Sequence, residues 1–171
     1  MVCDAHHLME ITMNNFLKTT LFVTASVAAV AGVTAFANSD ETSAEQSLGN
    51  GEAVTIYRDP GCGCCDAYAA YMVENGFDVT IVDDPNFDQR SVDAGVPERG
   101  IGCHLAMIDG YLVSGLVPAE IVNRLLEERP DIQGITLPGM PGNAPGMARI
   151  KTGTLKVYAF GDTGISVYSN E

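Results

Sequence analysis

An α/β layer fold is the architecture this sequence predicts, and three observations predict it. Between residues 53 and 129, short β-branched runs alternate with stretches of helical spacing. Two of the runs are joined by Asp109-Gly110, one of the stronger hairpin signals a sequence offers, and Gly, Pro or Asp marks each change of pattern. The expected order is β-α-β-α-β-β-α, with the hairpin at one edge.

Each element has its own reason. "AVTIY" (53–57) is an apolar, β-branched run ended by Asp59-Pro60-Gly61, so it reads as a buried strand. From Cys64, "CCDAYAAYMVENG" sets Tyr68, Tyr71 and Met72 at helical spacing and stops at Gly76. "FDVTIVDD" (77–84) alternates as a second strand, and "NFDQRSVDAG" (86–95) reads as a short helix closed by Gly95. "HLAMIDGYLVSGLV" (104–117) is the hairpin. Pro118 then opens "PAEIVNRLLEER", a helix by the spacing of Ile121, Leu125 and Glu128 and by Pro in its first turn.

That order matches the thioredoxin-like fold, which places its chemistry in the turn between first strand and first helix, where three cysteines fall here. Beyond the last helix, "PDIQGITLPGMPGNAPGMARIKTG" is a Pro/Gly/Met loop without periodicity. "TLKVYAF" and "GISVYS" then form an expected C-terminal hairpin through residues 161–164.

The first 37 residues speak to compartment. From Met13, a head carrying Lys18 precedes an apolar run (20–35) and Ala35-Phe36-Ala37, the layout of a secretory signal peptide cut between Ala37 and Asn38. An uncleaved anchor is the alternative, because the run is nearly long enough to span; the small residues favour cleavage. Residues 1–12 place Asp4 and Glu10 where a leader should be positive, so translation is expected to start at Met13 or at Met9. Cys3, His6 and His7 are then lost and are excluded as ligands. The expectation is an exported, periplasmic protein with a signal peptide over 13–37, a flexible leader over 38–52 and one domain over 53–171, with no membrane insertion after cleavage.

Nine basic against 22 acidic residues give a net charge of −13. That excludes nucleic acid and anionic lipid as partners, since both need clustered Lys and Arg. The carboxylates are scattered, as on the surface of a soluble exported domain.

The chemistry lies in "YRDPGCGCCDAY" (57–68). Cys62 and Cys65 form a C-x-x-C, and Cys62 and Cys64 a C-x-C, at a helix N-terminus whose free N–H groups favour thiolate. Thiolate both attacks disulfides and binds metal. Cys103 and His104 precede the third strand, which the fold brings across the cysteine turn. His104 is expected at about the position where redox members of the fold carry a cis-proline.

Three uses stay open: a metal site, thiol-disulfide exchange through Cys62 and Cys65, and a structural disulfide, the usual fate of exported cysteines. Soft thiolates select Cu(I), zinc or iron–sulfur clusters, and imidazole suits copper and zinc. Adjacent Cys64-Cys65 and Cys103-His104 fit the paired spacing of structural zinc poorly, whereas crowded thiolates can bridge several Cu(I) ions.

"YRDPGCGCCDAYAAYMVENGFDV" with "VPERGIGCHLAMIDGYLVSGLVPAEIVNRLLEERPDIQGITLPGMPGNAPGM" resembles the CopG-like family of exported, metal-binding, thioredoxin-like proteins associated with copper resistance. The resemblance spans about residues 53–160. It implies copper bound through Cys62, Cys64, Cys65 and Cys103, with His104 as ligand or neighbour. Family members often carry Trp and then His in the first helix; this chain has Tyr68, suited to the packing role, and Tyr71, which cannot replace an imidazole ligand.

Met140 and Met147 are further candidate ligands, because thioethers bind Cu(I); the alternative is that they tuck the loop onto the core. Asp59 and Asp66 are expected to shape the turn and the first helical turn. The expected function is copper binding, as Cu(I) with zinc or silver as alternatives, for sequestration or redox handling during metal stress. The expected partners are the ion and another exported copper-handling protein; the alternative is a thiol-disulfide oxidoreductase.

Overall fold

The computed structural model describes residues 47–171. The expected upstream segment 1–12, signal peptide 13–37 and leader residues 38–46 lie outside them. In order come β1 (Ala53–Arg58), α1 (Gly63–Glu74), β2 (Asp78–Asp83), α2 (Phe87–Asp93), β3 (His104–Ile108), β4 (Tyr111–Ser114), α3 (Ala119–Glu128), β5 (Gly134–Thr136), β6 (Lys156–Gly161) and β7 (Gly164–Asn170).

One seven-stranded sheet runs β2-β1-β3-β4-β5-β6-β7. β1 is parallel to β2 and antiparallel to β3; β3 and β4 are antiparallel, and β4 is parallel to β5. The last three strands are antiparallel neighbours. Period-2 alternation puts Val54 and Ile56 of β1 on one face with Ala106 and Ile108 of β3, packed against the buried faces of α1 and α3. Each fully buried Ile, Leu or Met there contributes roughly 2 kcal/mol. The other face buries a smaller cluster of Val96, Leu105, Leu112 and Phe160.

The first seven elements follow the expected order, and the C-terminal hairpin forms as β6 and β7. Three expectations are corrected. The 104–117 hairpin is not at an edge, because β5, β6 and β7 extend the sheet beyond β4. The segment read as aperiodic contains β5; all three of its residues are buried, so it shows no alternation. In α3 the buried stripe is Ala119, Ile121, Val122 and Leu125, while Glu128 is exposed, and Pro118 caps the helix rather than entering it.

Residues 47–52, expected in the leader, form a turn held at the end of α1: Gly49 N–H donates to Asn75 and Gly51 N–H to Gly76. The Asp109-Gly110 turn has both φ angles positive (46° and 85°), the type I′ geometry that matches strand twist. No described helix is long and apolar enough to cross a membrane.

Candidate metal centre

The chain leaves β1 at Arg58 and turns through Asp59-Pro60-Gly61, closed by Cys62 N–H donating to the Asp59 carbonyl at 3.1 Å. Cys62 then caps α1 with its backbone: its carbonyl accepts from Cys65 N–H (3.0 Å) and Asp66 N–H (3.1 Å). Cys64 and Cys65 therefore lie in the first helical turn, with Cys65 buried and Cys62 and Cys64 half-buried.

The fourth sulfur comes from β3. Antiparallel pairing sets His104 opposite Arg58, which carries Cys103 to the cysteine turn. The sulfurs of Cys62, Cys64, Cys65 and Cys103 all lie within 4.8 Å of one another. Cys62 and Cys65 are joined in a disulfide; Cys64 and Cys103 are free. Cys64 Sγ is 3.4 Å from Cys62 Sγ. Cys65 Sγ lies 3.2 Å from the Cys103 carbonyl oxygen, which becomes an S–H···O bond when the disulfide is reduced.

Burial, reinforced by Cys64 next to it, pushes the Cys103 thiol up to about 12, so it is protonated at neutral pH and a metal must displace its proton.

His104 stands beside the four-sulfur group. It is fully buried, with Nδ1 3.5 Å from Cys103 Sγ and its ring 4.7 Å from that of Tyr68. Its Nε2 is buried with no partner among the described residues, and burial lowers the imidazole pKa to about 3, leaving it neutral. The nitrogen beside Cys103 is Nδ1, whereas the unpartnered one is Nε2; a neutral imidazole next to a thiol suits a soft cation.

Of the two methionines, the structure brings one to the sulfurs. Met140 Sδ is 3.9 Å from Cys64 Sγ. Met147 lines a separate cavity of about 400 Å³ along α1 with Ala67, Ala70, Tyr71 and Glu74. Neither is tucked into the core, as both are exposed. The loop can lie this close because residue 146 is glycine: a Cβ there would stand 2.6 Å from the Cys64 carbonyl oxygen, at a φ of +87°.

The tyrosines have structural work. Tyr68 is buried and donates to the Val117 carbonyl at 2.8 Å. The Tyr71 hydroxyl accepts from Ala119 N–H at 2.9 Å and donates to Glu120 at 3.3 Å, so it caps α3. Asp66 pairs with Arg58 at 2.9 Å, and the Asp59 carbonyl closes the turn. Sequence reading passed over Arg58; its signal is a lone cation at the end of a strand directly before a thiol turn.

Among known families, one described as "Protein of unknown function, DUF411" matches residues 101–147, the span holding Cys103, His104, Met140 and Met147. Two solved structures are similar, forms 2 and 1 of "Copper resistance protein copG". They superpose with TM-scores of 0.65 and 0.64 at 33% and 34% identity, and each match covers 71% of this chain and 98% of the other. No curated relative matches.

Proposed function

The chain belongs to the CopG family of copper resistance proteins, and on that premise we propose that it binds copper as Cu(I) and sequesters it or handles its redox state during copper or silver stress. The observation that carries this reading is the four cysteine sulfurs within 4.8 Å of one another, with the Met140 thioether 3.9 Å from Cys64. Such a set is soft and compact, and soft donors select Cu(I) over harder ions. Adjacent Cys64 and Cys65 do reach one small volume, so their adjacency does not set zinc or silver aside; donor softness and family membership favour copper.

Cys62, Cys64, Cys65 and Cys103 hold the ion in this reading, with His104 and Met140 as neighbouring donors. Met147, on the separate cavity, drops out of the set. Loading all four cysteines requires reduction: exchange with an external dithiol, which is left oxidised, supplies the two electrons and two protons that convert the Cys62–Cys65 disulfide to thiols, and the bound cation then displaces protons.

The order β2-β1-β3-β4 and the position of the cysteines before α1 support reading the first seven elements as thioredoxin-like. The apolar run over 20–35 followed by Ala35-Phe36-Ala37 supports export to the periplasm with cleavage before Asn38, where another exported copper-handling protein would supply or accept the ion.

Reduced protein lacking residues 1–37, titrated with Cu(I) without oxygen and assayed for bound metal, should take up copper. Cys64→Ser and Cys103→Ser should each lose most of that uptake; full uptake in both variants sinks the site as drawn. The disulfide between Cys62 and Cys65 favours a second reading, a thiol-disulfide oxidoreductase. That activity would reduce or oxidise a test disulfide catalytically and survive Cys64→Ser.

A further inference from the structure

We propose that Arg58 is the positioning residue of the cysteine site, its guanidinium setting the spacing of the sulfurs on the 59–66 segment; for the metal this rests on the copper-binding reading. Arg58 ends β1, between Asp83 of β2 and His104 of β3 in the sheet register. Its side chain is only 12% exposed. Nη1 lies 2.9 Å from the Asp83 carboxylate and donates to the Asp59 carbonyl at 3.1 Å, while Nη2 donates to the Asp66 carboxylate at 2.9 Å.

Asp59 stands three residues before Cys62, and Asp66 follows Cys65 directly. One planar group therefore grips both ends of the segment that carries three of the four sulfurs and ties it to β2. Guanidinium suits this because its fork presents several donors in fixed directions, which an ammonium cannot reproduce. Arg58 Nε is buried with no partner among the described residues. A side chain with only a surface role would turn outward and avoid that desolvation cost, so its retention marks a geometry held for the clamp. Asp66 and Asp83 are half or more exposed, which keeps the pairs weak as stabilisers and leaves geometry as their main effect.

The test uses the leaderless protein as wild type, Arg58→Lys, Arg58→Gln and Asp66→Asn, with two readouts. Under anaerobic competition with a Cu(I) chelator, both Arg58 variants should bind roughly 10- to 100-fold more weakly, the usual effect of removing a residue that orients ligands, with a changed sulfur-to-copper absorption. Independently of metal, equilibration of the Cys62–Cys65 disulfide with glutathione should shift about tenfold, because exchange depends on how the two sulfurs are held.

Wild-type affinity and an unshifted glutathione equilibrium in both Arg58 variants would overturn the assignment. So would full rescue by Arg58→Lys, which would leave charge alone as the cause. If wild type takes up no Cu(I), the copper reading fails and the glutathione equilibrium still decides the role of Arg58. If the Arg58 variants do not fold, Asp66→Asn decides it: an exposed carboxylate removed without effect on either readout overturns the clamp.

Discussion

With residues 1–37 removed, His104 is the chain's sole histidine, and its burial has a consequence in solution. Its folded pKa of about 3 lies below the ordinary imidazole value of 6.5, so the unfolded chain takes the proton first as pH falls. The associated stability is complete above pH 6.5 and is lost progressively toward pH 3. The metal-free, disulfide-bonded protein should therefore lose on the order of a few kcal/mol between pH 7 and pH 4, read by denaturant unfolding. His104→Asn should flatten the slope between pH 6.5 and 5, where carboxylates contribute little. An unchanged slope in that variant would mean the imbalance lies elsewhere. At the same scale, the buried, protonated Cys103 thiol predicts proton release on Cu(I) uptake, which titration in weak buffer detects.

Helix α3 begins at Ala119 after Pro118, which has no side-chain cap to offer. Its first N–H is met instead by the Tyr71 hydroxyl of α1. Tyr71→Phe should cost about 1 kcal/mol in unfolding free energy, the usual loss for a helix cap, while leaving Cu(I) affinity unchanged. A fall in affinity would place Tyr71 in the site. The start of α1 was legible because Asp59-Pro60-Gly61 is local turn chemistry and the Tyr68/Met72 spacing is local periodicity. The start of α3 was legible from Pro118, but its cap was not, since Tyr71 is 48 residues away along the chain. β5 was missed for a related reason: three fully buried residues show no alternation, and only the neighbours β4 and β6 make them a strand.

Across the whole molecule, the net charge is −13 for the full chain and −8 for residues 53–171, with 16 acidic and 8 basic residues, so native ion pairs do not balance the domain's self-repulsion. Raising sodium chloride from 10 mM to 500 mM at pH 7 should therefore raise the unfolding temperature by roughly 3 °C, equivalent to about 1 kcal/mol. A fall would mean that pairs such as Arg58–Asp83 and Arg90–Asp84, which salt weakens, outweigh the repulsion.

By itself the sequence determined the β-α-β-α-β-β-α order, the hairpin at Asp109-Gly110 and three cysteines at a helix start. Each depends on residues within a few positions of one another: periodicity, turn chemistry and motif spacing are local properties of a chain. Tertiary structure alone decided that β5 to β7 extend the sheet past the hairpin, that Met140 and not Met147 approaches Cys64, and that Arg58 holds Asp66 and Asp83 together. Most of these depend on segments far apart in sequence: Met140 meets Cys64 across 76 positions, and β1–β2 pairing sets Arg58 opposite Asp83. Cys103 spans both cases: "CH" before a strand marked it as a candidate, and β1–β3 pairing carries its sulfur to within 4.8 Å of the other three.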